Sequence, residues 1–139
     1  MANDIKLLGF NLNKMHAEKN PTFAGKLEIK SNINISSIEK EKLSLSKEES
    51  VKISFDFLVS YGDLGRVEVS GTMFLLLDQK TTKDLMAGWK NKAIPADLNT
   101  TILNVILQKA SIKTLEIEDE LGLPPHISFP RLQPSEQKK

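Results

Sequence analysis

The side chains able to carry chemistry are few. His16 and His126 are the chain's two histidines, and there is no cysteine. A bound transition metal draws on clustered His, Cys and carboxylates at fixed spacing. Here each histidine sits alone in its own polar stretch, read as a loop, so no metal is expected. A nucleophile needs a Gly-x-Ser-x-Gly elbow or an activated cysteine, and the sequence has neither. Ser128 stands close to His126, but the pair reads as a loop histidine beside a turn serine. No Gly-x-x-x-x-Gly-Lys or Gly-x-Gly-x-x-Gly phosphate cradle is present, and Gly62 and Gly65 read as turn residues. Glu116, Glu118, Asp119 and Glu120 form an acidic run, which reads as a solvated helix face. These absences predict a protein that binds rather than catalyses, without a cofactor.

Charge narrows the partner. The 139 residues carry a formal net charge of +1, too little for bulk attraction to nucleic acid. Arg66 and Arg131 are the only arginines, and arginine is the usual reader of base edges. The longest apolar run, Met73 to Leu77, is far short of the roughly 20 residues a membrane helix needs. Residues 1–10 lack the apolar core of a signal peptide. A chain without cysteine fits a reducing compartment, and the expected location is the cytoplasm.

Four strands and two helices must position whatever binds. Ile5, Leu7, Leu8, Phe10 and Leu12 alternate with a slip at Leu7-Leu8, which predicts a strand with a bulge. Residues 14–25 are polar, contain Asn20-Pro21 and read as a loop. Leu27, Ile29, Ile33 and Ile35 mark one face of a second strand, and 38–50 reads as an exposed connection. Val51, Ile53, Phe55, Phe57, Val59 and Tyr61 alternate without a break. After a Gly-containing turn, Val67, Val69, Met73, Leu75 and Leu77 alternate in return, so the two runs form a hairpin.

The period then changes. Thr81 and Asp84 resemble a capping pair for a short helix with Leu85, Met86 and Trp89 on one side. Pro95 opens a long helix over 96–121, with Leu98, Ile102, Val105, Ile106 and Ala110 as its apolar stripe. Gly122 and Pro124-Pro125 stop it. Strands followed by helices predict an α+β fold, a four-stranded antiparallel sheet with a short and a long helix packed on one face. The expected organisation is a single domain over 1–132 and a short disordered tail over 133–139.

Apolar surface remains after one core is filled. Leu103 and Leu107 lie on a second stripe of the long helix, and Phe74 and Leu76 on the second face of the hairpin. These four are the candidate self-association residues, pointing to a homo-oligomer, a dimer or a tetramer. Phe23, Trp89 and Phe129 are either ordinary packing or the lining of an exposed groove.

The whole order resembles the SecB family of export chaperones. The resemblance spans about residues 4–132 and is carried by VEVSGTMFLLL over 67–77, by the helix start over 99–110 and by LGLPPHISFP over 121–130. It implies a homo-oligomeric, ATP-independent holdase that binds unfolded polypeptide in apolar grooves, with Phe23, Trp89 and Phe129 as client contacts. SecB proteins add a second helix and an acidic tail after that loop. This sequence ends Gln137-Lys138-Lys139, so docking onto the export motor SecA is in doubt. Two other readings stand beside it. One is an adaptor or assembly factor for a single folded partner. The other is a small-molecule or hydrolytic protein, against which the missing polar constellation argues.

Overall fold

The computed structural model describes residues 5–42, 49–128, 130 and 132. The predicted tail over 133–139, residues 43–48 of the predicted connection, and Phe129 lie outside the described residues.

The elements are β1 (Lys6–Lys19), β2 (Lys30–Lys42), β3 (Glu49–Ser60), β4 (Gly65–Leu77), α1 (Gln79–Lys90) and α2 (Ala96–Leu121). The strands form one antiparallel sheet in the order β1-β4-β3-β2, and both helices pack on the same face. This is the α+β arrangement that the sequence predicts.

The β3–β4 hairpin is the centre. Its register runs from Ser60↔Arg66 to Glu49↔Leu77 without a shift. Val51, Ile53, Phe55, Phe57, Val59 and Tyr61 face Val67, Val69, Met73, Leu75 and Leu77, and all of them are buried. Fully burying a large apolar side chain contributes about 1.5–3 kcal/mol, so this double row is the main source of cohesion. Leu85 of α1 and Leu98, Ile102, Ile106 and Ala110 of α2 close over it. Gly71 interrupts the core-facing row of β4, where β1 comes close. A Cβ there would meet the Asn11 backbone oxygen at 2.0 Å, so only glycine fits.

The edge strands are longer than the side-chain pattern predicts. β1 continues through the expected loop to Lys19, because β4 offers a ladder from Lys14↔Ser70 to Lys19↔Gly65. Backbone pairing is indifferent to the polar side chains, which point to solvent from an edge. The turn begins at Asn20, whose N–H donates to Leu64 O at 2.6 Å and whose Oδ1 accepts from Thr22. β2 likewise starts later, at Lys30, and runs through the expected connection to Lys42. A bulge between Ile35 and Ser37 reverses the alternation there. Ile38, an even-numbered residue, joins the core at 4% exposure. β1 carries two such shifts, at Leu7/Gly9 and Leu12/Lys14; the first is the predicted slip.

The cap of α1 is Asp78, which accepts from the Thr81 N–H at 2.7 Å; Asp84 plays no part in it. That hydrogen bond, from Thr81, lowers the Asp78 carboxyl below its ordinary value, with a small contribution from the Lys80 charge. The boundaries of α2 are those predicted. Pro95 is its N-cap, and Gly122 ends it in the left-handed region at φ 73°, which glycine adopts without a side-chain clash. Among the described residues no helix is long and apolar enough to cross a membrane.

Candidate functional site

The last two turns of α2 lie beside the β3–β4 turn, and there the fold assembles a polar cluster that sequence reasoning missed. Leu98, Ile102, Ile106, Ala110, Thr114 and Glu118 are a run of buried positions four residues apart on α2. The run begins apolar and ends in a carboxylate. Glu118 accepts a hydrogen bond from the Tyr61 hydroxyl at the end of β3. The chain reverses after Gly122, Leu123 N donates to Glu118 O at 2.8 Å, and His126 returns against the helix. His126 Nδ1 lies 3.0 Å from Glu118 Oε2, and Nε2 lies 3.0 Å from Ser111 Oγ. A carboxylate only accepts, so Nδ1 carries the proton, and in the neutral ring Nε2 accepts the Ser111 hydroxyl. The Phe57 ring meets the imidazole edge-on at 5.7 Å.

The linkage Ser111–His126–Glu118 has the connectivity of a nucleophile, a base and an orienting carboxylate. Its surroundings are those of a lock. The side chains of His126 and Glu118 are 1% and 2% exposed, and Ser111 is 7% exposed. The pair is sealed under α2 and the following segment, and the Ser111 hydroxyl is engaged with the imidazole. Burial first, then the Glu118 hydrogen bond and charge, push the Tyr61 hydroxyl well above its ordinary value of 10.0. It therefore stays a neutral donor. The cluster satisfies its own members: among the described residues no buried side-chain polar atom lacks a partner.

Three expectations change accordingly. His126 is not a free loop histidine. His16 lies in β1, beside Glu18 at 3.0 Å. The acidic run is not uniformly solvated, for Glu116, Asp119 and Glu120 are exposed while Glu118 is buried. The signal for Glu118 was available as a lone acid continuing an apolar i+4 stripe. Among the described residues no group of three or more His, Asp or Glu is placed to hold a metal ion.

Of the residues predicted to touch clients, Phe23 and Trp89 lie apart. Phe23 is half-buried in the β1–β2 connection, after Asn20, beside the β3–β4 turn. Trp89 is half-buried in α1, which starts where β4 leaves the opposite end of the sheet. It lines a cavity of about 290 Å³ with Lys92, Ala93, Ile94 and Asn99. The self-association candidates also separate. Phe74 and Leu76 alternate with the buried row of β4 and so occupy the sheet face away from the helices, half-buried. Leu103 is half-buried and Leu107 exposed, both on α2. One flat interface does not span both sets. Further apolar exposure falls on Leu8 and Met15 of β1, at 51% and 54%, and on Ile112 of α2, at 62%.

No family model matches the sequence, and no curated protein does. Solved structures do match its shape. A SecB-like chaperone of Mycobacterium tuberculosis, in complex with a ChAD peptide from an antitoxin, superposes with a TM-score of 0.57 at 14% identity. The match covers 93% of this chain and 88% of that one. A protein of unknown function from Streptococcus agalactiae gives a TM-score of 0.55 at 11% identity, over 94% of this chain and 100% of the other. The architecture is a SecB-like fold.

Proposed function

We propose that this chain is a polypeptide-binding chaperone that holds non-native protein without ATP and without catalysing a reaction. The observation that supports it most directly is the shared fold, over 93% of the chain, with a SecB-like chaperone that binds an antitoxin peptide. The physical logic is that of a holdase. Unfolded chains expose apolar side chains, and a protein that binds only the unfolded form withdraws it from aggregation by mass action. Exposed Leu8, Met15, Leu107 and Ile112, with half-buried Phe23 and Trp89, offer apolar contacts on several sides of the molecule. Phe129 belongs to the same proposal. A dimer or tetramer would extend the contact area and add avidity.

The test is aggregation of a chemically unfolded reporter protein, followed by light scattering after dilution with and without this protein and without nucleotide. Suppression near stoichiometric protomer ratios is the expected result. No suppression by a folded sample overturns the general holdase. It favours the second reading, an adaptor for one client, which the single antitoxin peptide on the mycobacterial neighbour supports.

A further inference from the structure

Between α1 and β2 lies an open groove of about 800 Å³. Its floor includes Met86 and Ala87, and its rim carries Lys40, Lys80, Lys83 and Lys90. Among the described residues no carboxylate lines it. For a chain of net charge +1, the three α1 ammonium groups of Lys80, Lys83 and Lys90 along one groove are a local concentration of positive charge. At the start of α1 the Asp78 carboxylate accepts the Thr81 N–H at the helix cap. Among the described residues Lys80, Lys83 and Lys90 form no ion pair, in contrast to Lys113, which meets Glu116 at 3.0 Å. The positions explain the grouping: residues 80, 83, 87 and 90 share one face of α1, with Asp84 at its border and not among the described lining residues. Lysine stems are apolar and extend the floor, while their heads stay in water. Met86 adds a side chain that adapts to irregular partners.

We infer that this groove is a docking site for a polypeptide segment rich in both acidic and aliphatic side chains. Aliphatic groups of such a segment cover Met86, Ala87 and the lysine stems, and its carboxylates meet Lys80, Lys83 and Lys90. Charge complementarity selects an acidic over a basic segment and speeds encounter. The assignment rests on the reading of this chain as a polypeptide-binding protein and supplies the chemical preference that reading leaves open.

The experiment uses a labelled peptide of alternating Leu and Glu, with alternating Leu-Lys and Leu-Ser peptides as comparisons. Binding is read by anisotropy and by the fluorescence of Trp89, the chain's single tryptophan, which sits on α1. The expected result is that Leu-Glu binds best and weakens with salt. The triple variant K80E/K83E/K90E, unchanged in melting temperature, should lose about tenfold or more in affinity for Leu-Glu and gain affinity for Leu-Lys. K80Q/K83Q/K90Q should show a smaller loss without the gain. Equal binding of the three peptides, or Leu-Glu affinity unchanged in the triple variant, overturns the assignment. Lysine-dependent binding to phosphatidylglycerol vesicles with no binding of Leu-Glu also overturns it, in favour of an anionic lipid surface. Suppression of reporter aggregation by a protein that ignores Leu-Glu overturns the groove alone and leaves the chaperone reading standing. Leu-Glu binding without aggregation suppression supports the groove and turns the function toward a single acidic client.

Discussion

The two ends of the sheet treat polar groups in opposite ways. At the β3–β4 turn, Tyr61, Ser111, Glu118 and His126 are buried and satisfy one another. At the other end, Lys80, Lys83 and Lys90 stand in solvent around an open groove. Chemistry alone would assign the function to the first, since serine, histidine and glutamate are the residues of catalysis. Accessibility assigns it to the second. A polar group with its partners inside the molecule contributes cohesion, whereas one without them is available to something outside.

That contrast is breakable. The largest effect should come from His126→Ala, which empties the site and strips the buried Glu118 carboxylate of a partner. Leaving a buried carboxylate short of a hydrogen-bond partner costs about 1–3 kcal/mol or more and the emptied ring volume adds to it, so the denaturant midpoint should fall steeply while peptide binding by the folded fraction is kept. A variant of normal stability would show that the cluster is not a lock. Tyr61→Phe should cost less, about 1–3 kcal/mol, because Glu118 keeps His126 while losing one donor.

Alkaline titration sharpens the same side. The folded state raises the Tyr61 hydroxyl above its ordinary 10.0, so folding holds that proton more tightly than the unfolded chain does. Stability from this group is intact below about pH 10 and is lost as pH rises toward the folded value. Tyr61 is the only tyrosine, so tyrosinate absorbance reports this one group. It should appear together with unfolding, and ionisation near 10 in a folded protein would refute the burial. The smallest stability effect belongs to the groove. Lys83→Ser should change the unfolding free energy by no more than about 0.5 kcal/mol, as exposed substitutions do. Weakened Leu-Glu peptide binding in the same sample would separate the two ends cleanly.

How much of this was legible follows from the range of the forces involved. The bounds of α2 were readable because Pro95 and Gly122 act on their own backbone. The β3–β4 hairpin was readable because alternation is local. The second halves of β1 and β2 were not, since Lys14–Lys19 and Ile38–Lys42 are strand only by virtue of the neighbours they pair with. Ile38 was hidden further by a bulge that shifts its phase. The polar cluster was least accessible, for Tyr61 and Glu118 are 57 residues apart and Ser111 and His126 are 15 apart. The lysines of α1 were visible as residues, but their grouping around a groove depends on where β2 places Lys40.

The bulges bear on one more property. β1 and β2 are the open borders of the sheet, and they carry register shifts, two in β1 and one in β2, that the inner β3–β4 pair lacks. A flat border is a template on which further chains stack into fibrils. A chain that binds unfolded polypeptide, as proposed for this one, meets that hazard at every encounter. An extra residue in the border bends the ladder and leaves groups out of register, so an added strand finds no continuous partner. The same irregularity that blurs the hydrophobic pattern in the sequence thus denies other chains a continuous edge to extend.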